Sequence, residues 1–342
     1  MNHGRPINEA SLQYWRQTQY TREDVDAVCR QIDETDMAIR VTFDGAGNIN
    51  ATLTQRTWAR QQGHYPTIAD FFSTIGDHPA VRGKRGSLIV CIEDGLWEWL
   101  QPLSARAPIL AFGRHVRDQR TALIPDPAFI ESHGYEDELA RQRILMRDSP
   151  WSNKEPAAFW RGATTGLGIE AANWKFSARG RLTLLAKEID DSGVLNAKFS
   201  KMKNLESSQQ ELIAGLGLLD TEVPFEEFFR YRYLIDADGY CCAWKSLFLK
   251  LASGCATLKI ESDYEQWYFR SLVAWKNYIP IFPTLQDFRE VYDWLRQHDT
   301  EAHKIAREAL SISLEQTYER CFDEVGNLCG ALLDSFRETG TE

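Results

Sequence analysis

The sequence predicts an α/β protein made of two doubly wound domains that face each other. Three observations carry that expectation. The chain has 342 residues, too many for a single hydrophobic core and about right for two domains. Short apolar runs alternate with amphipathic helical patterns in both halves. Residues 231–259 read as a complete βαβ unit. In that unit an apolar run (233–235) leads through Asp236-Ala-Asp-Gly239 into a helical pattern of Trp244, Leu247, Phe248 and Leu251. A second glycine turn then opens the apolar run 255–260. Open α/β sheets bind ligands beyond the carboxyl ends of such strands, at helix N-termini. The stretch therefore reads as half of a nucleotide-type pocket, or as a βαβ unit that only builds core. The expected ligand site is the cleft between the domains.

The elements follow in order. Residues 8–33 read as helical, with Leu12, Trp15, Val25, Val28 and Ile32 at three- and four-residue steps. Thr21-Arg-Glu-Asp24 is a capping box for the second piece. Residues 39–43 alternate as a strand, Asp44-Gly-Ala-Gly-Asn48 is a turn, and 51–58 is the expected hairpin partner. A short helix over 66–75 is expected to be capped near Thr67. Residues 86–92 form a buried parallel-type strand ending at Glu93-Asp94-Gly95, where the carboxylates would face the sheet's carboxyl edge. Residues 108–112 are another short strand, and 123–130 a proline-punctuated loop. The charged stretch 136–150 places the domain boundary at about 148, giving domains over 1–148 and 149–312. A last helix over 313–337 is left free to join the first domain.

In the second half, 157–160 is a strand feeding Arg161-Gly-Ala-Thr-Thr-Gly166, and a helix opens at Arg179. Residues 196–199 are a strand, 201–222 a loop or helix, and 224–229 a short helix. Residues 277–281 are a strand. Thr284-Leu-Gln-Asp287 is a capping box for a helix to about 297, and Asp299-Thr300 caps the next.

Composition removes several function classes. The formal net charge of −10 argues against a nucleic-acid binder, whose footprint would be basic, although a local basic pocket is compatible with it. The seven cysteines (Cys29, Cys91, Cys241, Cys242, Cys255, Cys321 and Cys329) cannot all pair and show no metal-ligand spacing. Most lie in apolar runs, which suggests a reducing compartment. The first residues lack the apolar core of a signal peptide, no run approaches the ~20 residues of a membrane span, and the final residues carry no lipidation or retention motif. The reading is a soluble cytoplasmic protein, with peripheral membrane contact left open.

Residues 159–166 (Phe-Trp-Arg-Gly-Ala-Thr-Thr-Gly) follow a strand and combine glycine, hydroxyls and an arginine able to grip phosphate bidentately. No Gly-Lys-Ser/Thr follows, so this is not a Walker loop. A tight turn with a salt-bridged arginine is the alternative reading. Asp236 and Asp238 match an Asp-x-Asp pattern that holds a divalent metal in one class of sugar-nucleotide enzymes, a pattern also common by chance. Glu93 and Asp94 offer a general base or an acidic turn. The seven histidines are scattered and read as surface or satisfied residues. Trp97, Trp99, Trp267, Tyr268, Phe269 and Trp275 read as core, with one or two available to stack on a sugar or uracil.

The combination resembles glycosyltransferase family 90. The carrying motifs are 159–166, Arg179 ahead of Leu182-Thr-Leu-Leu185, 231–239, 251–259 and 275–281, in that order, with a weaker likeness over 88–94, 108–112 and 124–129. That family contains protein O-glucosyltransferases, capsule-associated xylosyltransferases and lipopolysaccharide-modifying enzymes. The resemblance implies a GT-B fold of two Rossmann-like domains facing a central cleft. It implies a UDP-sugar donor, with glucose or xylose first in line, inversion at the anomeric carbon, and no metal or other cofactor. It puts the catalytic base on Asp94 and the diphosphate arginine on Arg179. The donor set becomes Arg161, Gly162, Ala163, Thr164, Arg179, Ala237, Asp238, Gly239, Lys245, Ser253 and Gly254.

Two positions depart from the family pattern. Ala163 stands where a hydroxyl residue is usual, so that hydrogen bond would come from Thr164 or main chain. Lys245 stands where arginine is usual, keeping the charge but losing the planar fork. The acceptor implied is a glycan such as lipopolysaccharide or capsule. Three rivals stay open: a metal-dependent transferase using Asp236 and Asp238, a UDP-sugar-binding protein with impaired catalysis, and an α/β interaction protein.

Overall fold

The computed structural model describes residues 7–33, 38–53, 64–95, 98–166, 173–189 and 193–338. Leu96, Trp97 and the ends of two expected elements (54–58 and 167–168) lie outside that set. The chain divides into two compact units, each α/β. The first is Met1–Tyr135 with Asp263–Arg270 and Gln316–Glu342, and the second is Glu136–Ser262 with Ser271–Glu315.

Strands are numbered in chain order. The first unit holds β1 (Tyr20–Thr21), β2 (Ala38–Asp44), β3 (Ile49–Leu53), β4 (Arg85–Cys91), β5 (Ile109–Ala111), β6 (Gly113–His115) and β7 (Ala122–Leu123). Its main sheet runs β3-β2-β4-β5-β7. Every residue of β4 after Arg85 is buried, as its apolar run requires. The expected parallel-type strand is parallel on one side only: β4 is parallel to β5 (Val90 beside Leu110) and antiparallel to β2 (Val41 opposite Leu88). Helices Arg22–Asp33 and Tyr318–Leu333 pack on β4, which explains its two-sided burial in a mixed sheet. The helical reading of 8–33 also breaks. Helices Glu9–Gln17 and Arg22–Asp33 flank β1, where Tyr20 is fully buried. The capping box forms: the Thr21 amide donates to Asp24 Oδ2 at 3.0 Å, and the Asp24 amide donates to Thr21 Oγ1 at 3.3 Å.

The second unit holds β8 (Glu155–Ala163), β9 (Leu195–Lys201), β10 (Tyr231–Asp236), β11 (Ala256–Ile260) and β13 (Ile279–Ile281). All are parallel, in the order β13-β11-β10-β8-β9. Counted along the chain this is the flavodoxin-like order 2-1-3-4-5, whose switch point lies between β8 and β10. Apolar clusters cover both faces, one around Trp160, Tyr233 and Phe288, the other around Phe159, Tyr231 and Leu234. The βαβ unit is present as β10, helix Trp244–Leu251 and β11.

Several boundaries move. The break between units falls at Tyr135 and Glu136, ahead of the expected 148. Residues 136–148 are a helix with one buried side chain, Gln142, whose Nε2 donates to Leu249 O at 3.0 Å. Its polar composition reflects exposure and not a linker. The last helix is Tyr318–Leu333 in the first unit, because Leu314 ends the preceding helix and β14 (Phe336–Arg337) pairs with β1. Asp287 does not cap its helix, since its carboxylate accepts from the Phe282 amide at 3.1 Å. Asp299 serves Arg232 at 2.7 Å and the Trp151 indole. Trp267, Tyr268 and Phe269 are core, but Trp275 is exposed at φ 62° and meets Trp294 edge-on. All seven cysteines are free and buried. Among the described residues no helix is long and apolar enough to cross a membrane.

Candidate active site

The second unit concentrates polar side chains at the carboxyl ends of β8 and β10, the switch point where an open α/β sheet leaves a crevice. Arg179 spans that point. Its Nη1 donates to Ala163 O at the end of β8 (3.0 Å) and its Nε to Ala237 O just past β10 (3.2 Å). Nη1 also donates to Thr165 Oγ1, and the guanidinium lies 5.9 Å from the Trp160 ring centroid. The half-buried guanidinium is thus held by main chain on two strands.

Local sequence explains the placement. Ser177 caps helix Ala178–Glu188 by accepting from the Gly180 amide at 3.0 Å, which puts Arg179 in the first turn. A Cβ at Gly180 would lie 1.9 Å from Trp174 O, so only glycine lets the Trp174 turn close beneath the helix. At Gly239 a Cβ would come to 3.3 Å from Arg179 Nη2, so glycine again keeps the approach open.

Beneath this surface lies a buried charge quartet. Asp236 Oδ1 accepts from Lys250 Nζ at 2.9 Å. Asp238 Oδ2 accepts from Lys259 Nζ at 3.0 Å and from Ser262 Oγ at 2.6 Å, and Lys259 Nζ is 3.9 Å from Asp236 Oδ2. All four charged side chains are less than a tenth exposed. Burial pulls the Lys250 ammonium down against the attraction of Asp236. Burial also opposes charge on Lys259, but Asp238 and Asp236 together outweigh it and hold Lys259 well above the ordinary lysine value. The Asp-x-Asp carboxylates are therefore partnered by two lysines. Among the described residues no group of three or more His, Cys, Asp or Glu is disposed to hold a metal ion.

Several expected site residues lie elsewhere. Arg161 points to the opposite sheet face from Trp160, stacked over Phe159 at 4.8 Å and paired with Asp220 at 2.8 Å and Asn196 Oδ1 at 2.8 Å. The two-residue period of a strand dictates this, since Arg161 shares a face with Phe159. Gly162 stays in β8, where its missing side chain leaves room for the Trp160 ring. Thr164 is fully buried, its hydroxyl donating to Lys203 O at 2.8 Å and accepting from the Lys203 amide at 2.7 Å, so Thr165 is the hydroxyl that reaches Arg179. Ser253 and Gly254 connect the end of helix Trp244–Leu251 to the start of β11, at the amino edge of a parallel sheet. Ser253 Oγ donates to Lys250 O at 2.6 Å, and Gly254 adopts φ 67°, so both are turn residues remote from the carboxyl edge. Lys245 sits in the first turn of helix Trp244–Leu251, paired with Glu138. That helix opens without a side-chain cap, and Trp244 is held at φ 42°, a strained value for a bulky residue.

In the first unit, Asp94 follows β4 at the carboxyl edge of its own sheet, half-buried beside an equally half-buried Glu93. The residues missed from sequence are Lys250, Lys259, Ser262 and Thr165. A lysine inside the apolar run of β11 was the available signal, because such a charge needs a buried carboxylate.

Comparison with known proteins decides the affiliation. The model of glycosyl transferase family 90 matches residues 133–322, more than half of the chain. The chain belongs to glycosyl transferase family 90. Both of its units are α/β, and the sheet of the second is all-parallel in the doubly wound manner. Among relatives, the mouse protein O-glucosyltransferase 3 is 32% identical over 161 residues, 46% of this chain and 28% of that protein. The O-glucosyltransferase rumi homolog of Anopheles gambiae is 28% identical over 175 residues, 49% of this chain and 39% of that protein. The chain thus spans less than half the length of these relatives. Among solved structures, Anabaena HepE in complex with UDP and glucose is 9% identical, with a TM-score of 0.43 over 77% of this chain and 74% of that one. The family match runs through Arg179, the quartet and Lys245, while Asp94 lies ahead of it.

Proposed function

We propose that this family member transfers a sugar from a UDP-sugar to a hydroxyl of a glycan acceptor, with inversion and without a metal ion. The observation that carries the reading is Arg179, fixed by main chain on both sides of the switch point. There it can meet the charge of a departing diphosphate in a pre-organised geometry. Asp94 acts as the base. Its carboxylate takes the proton from the acceptor hydroxyl as that oxygen bonds to the anomeric carbon. The carbon–oxygen bond to UDP breaks on the opposite face, which inverts the centre. UDP leaves with its charge met by Arg179, by amides opening the Trp244–Leu251 helix, and by Lys245 once it exchanges Glu138 for phosphate. Glucose or xylose is the sugar, and a lipopolysaccharide- or capsule-type glycan in the cytoplasm is the acceptor setting.

Two measurements test the donor side. Thermal shift with UDP-glucose, UDP-xylose, UDP-galactose, UDP-GlcNAc and GDP- and CMP-sugars should show stabilisation by the UDP compounds alone. At a hundredfold excess over Kd the gain is about 2.7 kcal/mol. Arg179→Ala removes a charge-assisted contact of about 1.5–3 kcal/mol, so calorimetry should show UDP binding weakened roughly 10- to 150-fold. Unchanged UDP affinity would remove Arg179 from the donor site.

The pairing of Asp236 and Asp238 with Lys250 and Lys259 supports the metal-independent reading. Millimolar EDTA should leave donor hydrolysis unchanged, and a rate restored only by Mg2+ or Mn2+ would return the two aspartates to a metal role. One observation favours a second reading, a UDP-sugar binder without transfer: Lys245 is engaged by Glu138. Stabilisation by UDP-sugars with neither hydrolysis nor transfer would select it.

A further inference from the structure

A cavity of about 550 Å³ lies along β9, the edge strand of the sheet in the second unit. Small-molecule sites commonly measure about 300–1,000 Å³. The lining comes mainly from β8 and β9 short of their carboxyl ends and from segments 183–187 and 216–220. All of it belongs to the second unit, and Arg179 is not part of it. The cavity is thus separate from the switch-point crevice.

Its wall is built around Arg161, whose side chain is less than a tenth exposed. Stacking on Phe159 and the bonds to Asp220 and Asn196 Oδ1 fix the guanidinium. Its Nε is buried with no acceptor. An unmatched buried donor is costly, and each such group in a native protein calls for an explanation. Two lysines, Lys187 and Lys198, line the same cavity. Lys187 Nζ donates to Leu216 O at 2.7 Å, and among the described residues neither ammonium meets a carboxylate. A lysine on an edge strand can serve only to keep other strands away, which would account for Lys198 but not for the other two cations.

The carboxylates of the lining are already answered. Asp220 accepts from Arg161 and from the Thr221 amide at 2.8 Å, and Glu155 accepts from Arg230 at 3.0 Å. The hydrogen-bonding capacity left over is therefore that of cationic donors, in a protein whose net charge is −10. A ligand there has to supply acceptor oxygens, and an apolar one would leave the charges unmatched. The volume exceeds what a bare phosphate needs. Asn196 and the Tyr231 hydroxyl, 3.4 Å apart in the same wall, suit the hydroxyls of a larger polar body. We infer that this cavity is a second binding site, for an anionic sugar, either a free sugar phosphate or a uronate residue of a glycan chain. Arg161, Lys187 and Lys198 meet its charge, and Asn196 and Tyr231 its hydroxyls.

The test is calorimetry on the full chain with glucose 6-phosphate, glucuronate and trigalacturonate, beside glucose and inorganic phosphate. At least one charged sugar should bind saturably and more tightly than both controls, and added NaCl should weaken it. Glucose 6-phosphate alone would point to a free metabolite, and trigalacturonate alone to a glycan chain. Lys187→Met and Lys198→Met should each weaken that binding about 10-fold, the loss of a charge-assisted contact. Neither lysine has a carboxylate partner to lose, so both variants should melt with the wild type. UDP should not displace the sugar. Any of four results would overturn the inference: no saturable binding of the three charged sugars, equal binding of glucose or phosphate, wild-type affinity in both variants, or displacement by UDP.

Discussion

Asp94→Asn is expected to lower transfer and donor hydrolysis by about 10²–10⁴-fold, the range a positioned general base contributes, while the Kd for UDP stays within about twofold. Asparagine keeps the shape of the side chain and removes its proton affinity, so the loss reports proton transfer and not packing. UDP affinity should hold because Arg179 and the quartet belong to the second unit, and Asp94 follows β4 in the first. Glu93 makes the experiment discriminating. It is adjacent, carries the same charge and is equally half-buried, so a general electrostatic role at this edge would let Glu93→Gln reproduce the effect. A positioned base predicts a large loss for Asp94→Asn alone. Normal transfer by Asp94→Asn would refute the assignment.

Which parts of this site were legible in the sequence follows from the range of each interaction. The βαβ unit at 231–260 could be read because its period, its glycines and its two apolar runs are local signals that agree. The helix around Arg179 could be read from the leucines that follow it, but its Ser177 cap was not read, and the arginine's donor role came only from the family resemblance. Arg161 could not be placed, because whether a strand residue faces a pocket or a salt bridge depends on its partners. Asp220, which pairs with it, lies 59 positions away. Ser253 and Gly254 entered the donor set through the family resemblance. Only the parallel order of the strands shows that a turn after a helix lies at the amino edge. Thr164 and Thr165 are adjacent hydroxyls with opposite fates, and main-chain contacts with Lys203 decide between them. The charge quartet was half visible. Both aspartates stood out as a motif, but the lysines that answer them come from a helix and a neighbouring strand, and only the fold brings them together.

That quartet gives the largest expected effect on stability. Lys259→Met should destabilise the second unit by about 3–5 kcal/mol, because among the described residues it leaves Asp238 buried with Ser262 and no cation within contact, and takes from Asp236 its second lysine. For a unit of this size the melting transition should fall on the order of 10 °C. Removing a complete pair should behave differently. Asp236→Leu with Lys250→Met deletes both partners of the 2.9 Å contact, and buried pairs replaced by apolar residues are often neutral or stabilising. A double-mutant cycle on that pair should therefore show each single variant costing far more than the double. The two lesions also separate function from stability. Asp238 lies one residue before Gly239, which abuts Arg179, so Lys259→Met should weaken UDP binding at temperatures where the protein is still folded. The Asp236/Lys250 double variant should bind UDP nearly as the wild type does. If Lys259→Met instead left stability untouched and made donor hydrolysis respond to divalent cations, the aspartates would have an affinity that the lysine merely masks. The metal-dependent mechanism would then regain its ground. Unchanged stability without that response would mean the ion pairs are not formed as buried contacts.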